Sequence, residues 1–179
     1  MDQLQGILEN YRKLCAYCDG IWERVRAAYP NEIACRKGCS TCCELQSVNQ
    51  LEAHVIRTYM YVQGIGPDKG LDDRKEGHIC PFLRHHACVL YDARPIICRT
   101  HGLILRSNDF SQAHQAGSCP DNFPSYHPRD IPQEFTADID NITKNLANLN
   151  IAFCMVNNID IKDEYTSRVP LRELAALFG

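Results

Sequence analysis

No stretch of this chain approaches the roughly 18 consecutive apolar residues that a membrane-spanning helix needs. Its start, Met1-Asp2-Gln3-Leu4-Gln5-Gly6, lacks both the basic segment and the apolar core of a secretory leader. Those two absences make a cytoplasmic location the expectation, with no membrane partner. The formal net charge is −3, so no basic surplus draws the chain toward nucleic acid or an anionic surface. The mixed-sign tract Asp72-Asp73-Arg74-Lys75-Glu76, within residues 67–78, reads as a solvated loop. Catalytic signatures are missing as well. There is no nucleophile–base pair, phosphate-binding glycine loop or recognisably spaced carboxylate pair, and Gly64-x-Gly66 has no helix pattern behind it. Glu134, Asp138, Asp140 and Asp163 read as helix surface. Internal repeats and low-complexity tracts are also absent. A chain of 179 residues fits one domain, spanning residues 1–179, and buries enough core to fold without cross-links.

Cysteine is what the chain has in excess. It carries eleven, and four of them fall in the run Cys35-Arg-Lys-Gly-Cys39-Ser-Thr-Cys42-Cys43. An odd count in a chain without a leader argues against a complete disulfide framework. In a reducing compartment, clustered thiols read instead as metal-binding or catalytic. Short polar spacers containing Gly38 let the backbone curl so that several thiolates meet at one point.

The remaining pattern is helical. Leu4, Ile7, Leu8, Tyr11, Leu14, Cys15, Cys18, Ile21, Trp22, Val25 and Ala28 recur at three- and four-residue steps, which predicts a helix over about 2–29 ending before Pro30. A capping-box pattern at Ser47-Val-Asn-Gln50 opens a second helix over about 47–63, with Val48, Leu51, Val55, Tyr59 and Val62 on its apolar face. Pro132 opens a third over about 133–156, through Phe135, Ile139, Ile142, Leu146, Leu149, Phe153 and Val156. A short helix from Leu171 to Phe178 follows Pro170. Residues 80–83 and 87–91 read as strands of a small hairpin around Arg84-His85-His86. Residues 103–131 are rich in turn formers. The expected fold is mainly α, with helices clasping a small, irregular, hairpin-containing, cysteine-rich metal centre in residues 35–119.

Thiolates select zinc, copper(I) or iron–sulfur clusters over magnesium and calcium, and a zinc site or a cubane needs four of them. Cys35, Cys39, Cys42, Cys43, Cys80, Cys88, Cys98 and Cys119 therefore suffice for two sites, or for one site with spare thiols. Neighbours such as Cys42 and Cys43 project differently, so one is expected to join Cys35 and Cys39 and the other to face a second site or the core. Structural zinc sites usually show two separate Cys-x2-Cys knuckles, whereas only one end is compact here. That asymmetry, together with Cys80-Pro81 and Cys119-Pro120, favours a cluster. Lys37, Arg94 and Arg99 stand near these cysteines and would offset thiolate charge. His78, His85, His86, His101 and His114 are alternative donors, with His101 the nearest to Cys98 in sequence. Cys15 and Cys18 form a Cys-x-x-Cys on an apolar stripe and read first as core residues, as does Cys154; a redox or ligand role is the alternative for the pair.

The cysteine run, Cys80-Pro-Phe-Leu and Cys88-Val-Leu-Tyr-Asp-Ala-Arg-Pro-Ile-Ile-Cys98-Arg99 together resemble the YkgJ or CxxCxxCC family over residues 35–119. That family is described as zinc- or iron-chelating, and the same segment is a cluster-bearing part of flagellin lysine methylases. The first spacer here is three residues, one longer than the family's name implies. The resemblance implies metal ligation by the eight cysteines named above, with Arg94 and Arg99 beside the cofactor. The functional expectation is an iron–sulfur protein, 4Fe–4S favoured, in electron transfer or redox-linked chemistry. It would act as an oxidoreductase or accessory protein with a protein redox partner. The alternatives are a structural zinc module and a metal-handling protein.

Overall fold

The computed structural model describes residues 2–36, 38–66, 80–107, 119–160 and 168–176. Among them are five α-helices and six two-residue strands, so the chain is mainly α. The expected loop at 67–78 lies outside the described residues, as do most of the turn-rich stretch after Ser107, His78 and His114. Two compact units divide the chain: Met1–Arg36 with Ile96–Leu149, and Lys37–Pro95 with Asn150–Gly179. Among the described residues, no helix is long and apolar enough to cross a membrane.

The first unit is built on helix α1, Gln3–Ala28, whose start is capped by the Asp2 carboxylate accepting from Leu4 N–H. Tyr11, Cys15, Cys18, Ile21, Trp22 and Val25 form its buried stripe, so the helical period and the core placement of both cysteines hold. Helix α3 (Ile96–Thr100) packs on α1. The Trp22 indole N–H donates to Arg99 O at 2.7 Å, and the buried Arg99 guanidinium pairs with Asp19. Strand β4 (Leu105–Arg106) pairs in parallel with β5 (Ala137–Asp138). Helix α4, Ile139–Val156, begins directly after β5, with Asp138 Oδ1 accepting from Asn141 N–H at 2.9 Å. The start expected at Gln133 is therefore six residues early. Gln133–Phe135 is a separate 3-10 turn, and the pairing of Ala137–Asp138 with Leu105–Arg106 holds the chain extended before helix can begin.

In the second unit, strand β1 (Ser47–Val48) pairs antiparallel with β6 (Val169–Pro170). That pairing displaces the expected capping box. Helix α2 spans Gln50–Gln63, and its cap is Asn49, whose side chain accepts from Glu52 N–H at 2.8 Å. It ends at left-handed Gly64, with Ile65 N–H donating to Met60 O at 2.9 Å. The buried face is Leu51, Glu52, Ala53, Ile56 and Met60, not the stripe read through Val55, Tyr59 and Val62; Val62 is 69% exposed. Ala53, Ile56 and Met60 join Val48, Phe82, Leu90, Val169, Leu171, Leu174 and Ala175 in one apolar cluster. Helix α5 (Leu171–Ala176) closes it, and the α4 residues from Asn150 onward also belong to this unit. The Asn150 carboxamide accepts from Leu51 N–H at 3.1 Å, and Cys154 is fully buried, in keeping with its reading as core.

The hairpin is present and shorter than expected. Strands β2 (Leu83–Arg84) and β3 (Ala87–Cys88) pair in the register Leu83↔Cys88 and Arg84↔Ala87. His85 and His86 turn the chain at φ 45° and 61°, the mirror-image two-residue turn that matches strand twist and normally selects Asn-Gly.

Candidate metal centre

All eleven cysteines are present as thiols. Five of the eight candidate ligands, Cys39, Cys42, Cys43, Cys80 and Cys88, belong to the second unit, and Cys35, Cys98 and Cys119 to the first.

Around the hairpin, local hydrogen bonds gather the second unit's thiols. Gly38 takes φ 93°, and beyond it a tight turn forms in which Cys43 N–H donates to Ser40 O and Glu44 N–H to Cys42 O, both at 3.0 Å. Cys42 and Cys43 share a side-chain hydrogen bond. Cys80 N–H donates to Cys43 O at 2.8 Å, which joins the cysteine run to the hairpin. Ser40 Oγ and His86 Nδ1 lie 3.1 Å apart, a second tie between the same segments. Cys80 and Cys88 are both half-buried against the apolar cluster.

These surroundings favour the neutral form of Cys42, Cys80 and Cys88. The Cys42 thiol is raised well above its ordinary value, first by its hydrogen bond with Cys43, then by burial and by the Cys43 and Glu44 charges nearby. Burial pushes Cys80 up to about 11, with Cys88 adding to the rise while the Phe82 backbone N–H and Arg84 oppose it. Cys88 is raised by burial and opposed by the Leu90 N–H and Arg94. Each hairpin thiol thus has an arginine near it. Arg94 also stacks over the Tyr91 ring, 3.7 Å from its centroid. Arg84 donates to Pro81 O at 2.8 Å and to Leu83 O at 3.0 Å. Sequence reasoning found Arg94 and missed the electrostatic effect of Arg84 on Cys80.

In the first unit, Cys35 lies against Gly102 and Asn122, and the Asn122 amide donates to its sulfur at 3.4 Å. Cys98 is half-buried on α3, and Cys119 opens a turn in which Asn122 N–H donates to Cys119 O at 2.9 Å. Arg99 faces Asp19 on α1 and acts electrostatically on Cys18. His101 is exposed just past α3, and Lys37 lies outside the described residues. Among the described residues, no three His, Cys, Asp or Glu side chains are arranged to hold a metal ion. The donors nonetheless fit one chemically: soft sulfur, with cations beside the hairpin pair.

One comparison with known families gives a match. Residues 34–120 match the model of a family described as "CxxCxxCC: Putative zinc- or iron-chelating domain". The match takes in 87 of the 179 residues, just under half of the chain. All eight candidate ligands fall within the CxxCxxCC match, as do Arg84, Arg94 and Arg99, whereas Asn122 falls just beyond it. No curated protein and no solved structure gives a match.

Proposed function

We propose that this protein binds metal through thiolates. Its ligands are drawn from Cys39, Cys42, Cys43, Cys80 and Cys88 in the second unit and from Cys35, Cys98 and Cys119 in the first. The observation that carries the reading is the Cys80–Cys43 main-chain hydrogen bond, which ties the cysteine run to the thiol-bearing hairpin. Thiols raised by burial give up their protons readily only to a cation, so a bound metal ion is what would favour their ionised form here. Arg84 and Arg94 work in the same direction, since Arg84 favours the ionised form of Cys80 and Arg94 that of Cys88.

An iron–sulfur cluster near Cys39, Cys42 and Cys43 is the finer reading. Four thiolates can hold a cubane, the single compact cysteine run is unlike two zinc knuckles, and the family's description includes iron. Such a cluster would supply one-electron chemistry. The residues would bind it, shield it behind Phe82 and Leu90, and temper its charge. The same description also names zinc, and a zinc centre would act by fastening the irregular segments. Anaerobic purification with absorption spectra and analysis of iron, zinc and sulfide decides between them. A brown protein with about four irons and matching sulfide supports the cluster, a colourless protein with zinc supports the structural site, and a protein that takes up neither overturns the metal reading.

A further inference from the structure

Asn122 is almost fully buried, 3% exposed, and it touches every segment that carries a candidate ligand in the first unit. Its side-chain oxygen accepts from Ala34 N–H at 2.9 Å, beside Cys35. Its side-chain amide donates to Gly102 O at 2.8 Å, on the turn that follows Cys98 and α3, and to Cys35 Sγ at 3.4 Å. Its own backbone N–H donates to Cys119 O at 2.9 Å. We infer that Asn122 is a positioning residue for the thiols of Cys35, Cys98 and Cys119, and that its N–H···S bond tunes the charge on Cys35 when that sulfur ligates a metal.

Two features show how tightly this node is held. Gly102 sits at φ +90°, and a Cβ there would come within 3.1 Å of both Cys35 Sγ and Asn122 Nδ2, and 3.3 Å from the Trp22 ring. Only glycine lets the carbonyl and the sulfur approach the amide together. The neighbouring Phe123 is buried and adopts φ 57°, a conformation that a bulky residue takes only when its surroundings impose it. Phe123 N–H donates to Glu32 O at 2.7 Å, and its ring packs edge-on against Tyr29. The strained backbone and these anchors set the direction from which the Asn122 amide meets Cys35. A bond of this kind withdraws charge from a ligating sulfur, as the outer partners of metal ligands generally do.

The inference rests on metal ligation by Cys35, and cadmium(II) titration of the full chain separates the two. Asn122→Asp keeps the shape and the acceptor for Ala34 but removes the donor. Its cadmium affinity should fall roughly tenfold or more, and its thiolate-to-cadmium absorption band should move to longer wavelength as the sulfur electrons rise in energy. In the native chain loaded with cadmium-113, the Asn122 side-chain proton should show magnetic coupling to the metal through the N–H···S bond, a signal that a purely structural asparagine would not give. Cys35→Ser should bind less cadmium. If Cys35→Ser keeps its full cadmium, Cys35 is no ligand and the inference falls with that part of the metal reading. If Cys35→Ser loses cadmium while Asn122→Asp keeps native affinity and band position, the ligand stands and the role of Asn122 is overturned. Should Asn122→Asp not fold, the coupling in the native chain decides alone, its absence counting against Asn122.

Discussion

Cys18 has no exposed surface, and Cys15, Asp19 and Arg99 act on it electrostatically. Burial above all, with Cys15 and Asp19 adding, raises its thiol to about 12 against the partial opposition of Arg99. Burial disfavours the charged form, so the fold keeps a proton that the unfolded chain gives up near its ordinary value of 9.0. Below about pH 9 the resulting stabilisation is complete, and it is lost as pH rises toward about 12. The slope approaches about 1.4 kcal/mol per pH unit within that window. Denaturation of the native chain and Cys18→Ala across that range measures it: the variant should fall less steeply, and parallel curves would refute the assignment. Cys154 is raised by burial too, so alkylating reagents should reach both residues only after unfolding.

At the scale of elements, the hairpin carries the most strain for its size. Two L-residues, His85 and His86, occupy positive φ in succession, where Asn-Gly would sit with less penalty. Replacing the pair with Asn-Gly should raise the unfolding free energy by about 1 kcal/mol, read from denaturant midpoints, while leaving Leu83 and Cys88 in register. A drop in stability would instead show that the contact between His86 and Ser40 outweighs the relief of strain. The hairpin itself was legible because Cys80–Leu83 and Cys88–Tyr91 flank a short polar turn. Helix α1 was legible because its stripe runs without interruption through six buried positions. The face of α2 was not, since burial there falls on Ala53 and Glu52 and leaves Val62 in solvent, a choice made by the apolar cluster and not by local period. The start of α4 was hidden for a related reason: Leu105, some thirty residues upstream, pairs with Ala137. In the candidate site, cysteine spacing announced the thiols. Arg84 and Asn122 went unseen because their value lies in contacts, and Asn122 meets Cys35 across 87 positions of sequence.

Over the whole molecule, eleven thiols in 179 residues fall into two kinds that should behave differently. Cys15, Cys18 and Cys154 are buried apolar residues. The eight between Cys35 and Cys119 lie in irregular segments, short strands or the brief α3, where regular secondary structure contributes little stability. Since no three of the described donors converge in this structure, closing on a metal must draw thiols together, and part of the binding free energy becomes folding free energy. Metal at a thousandfold above its dissociation constant should then stabilise the native chain by about 4 kcal/mol, and a chelator should remove that increment. Cys42→Ser and Cys98→Ser should bind less metal and lose much of the increment. Cys154→Ser should bind fully and keep it, losing only about 1–3 kcal/mol, with and without metal, for a hydroxyl in an apolar site. The comparison needs both states of all three variants, because a destabilised variant alone says nothing about metal. Equal increments in all three would mean that neither Cys42 nor Cys98 is needed to hold the ion.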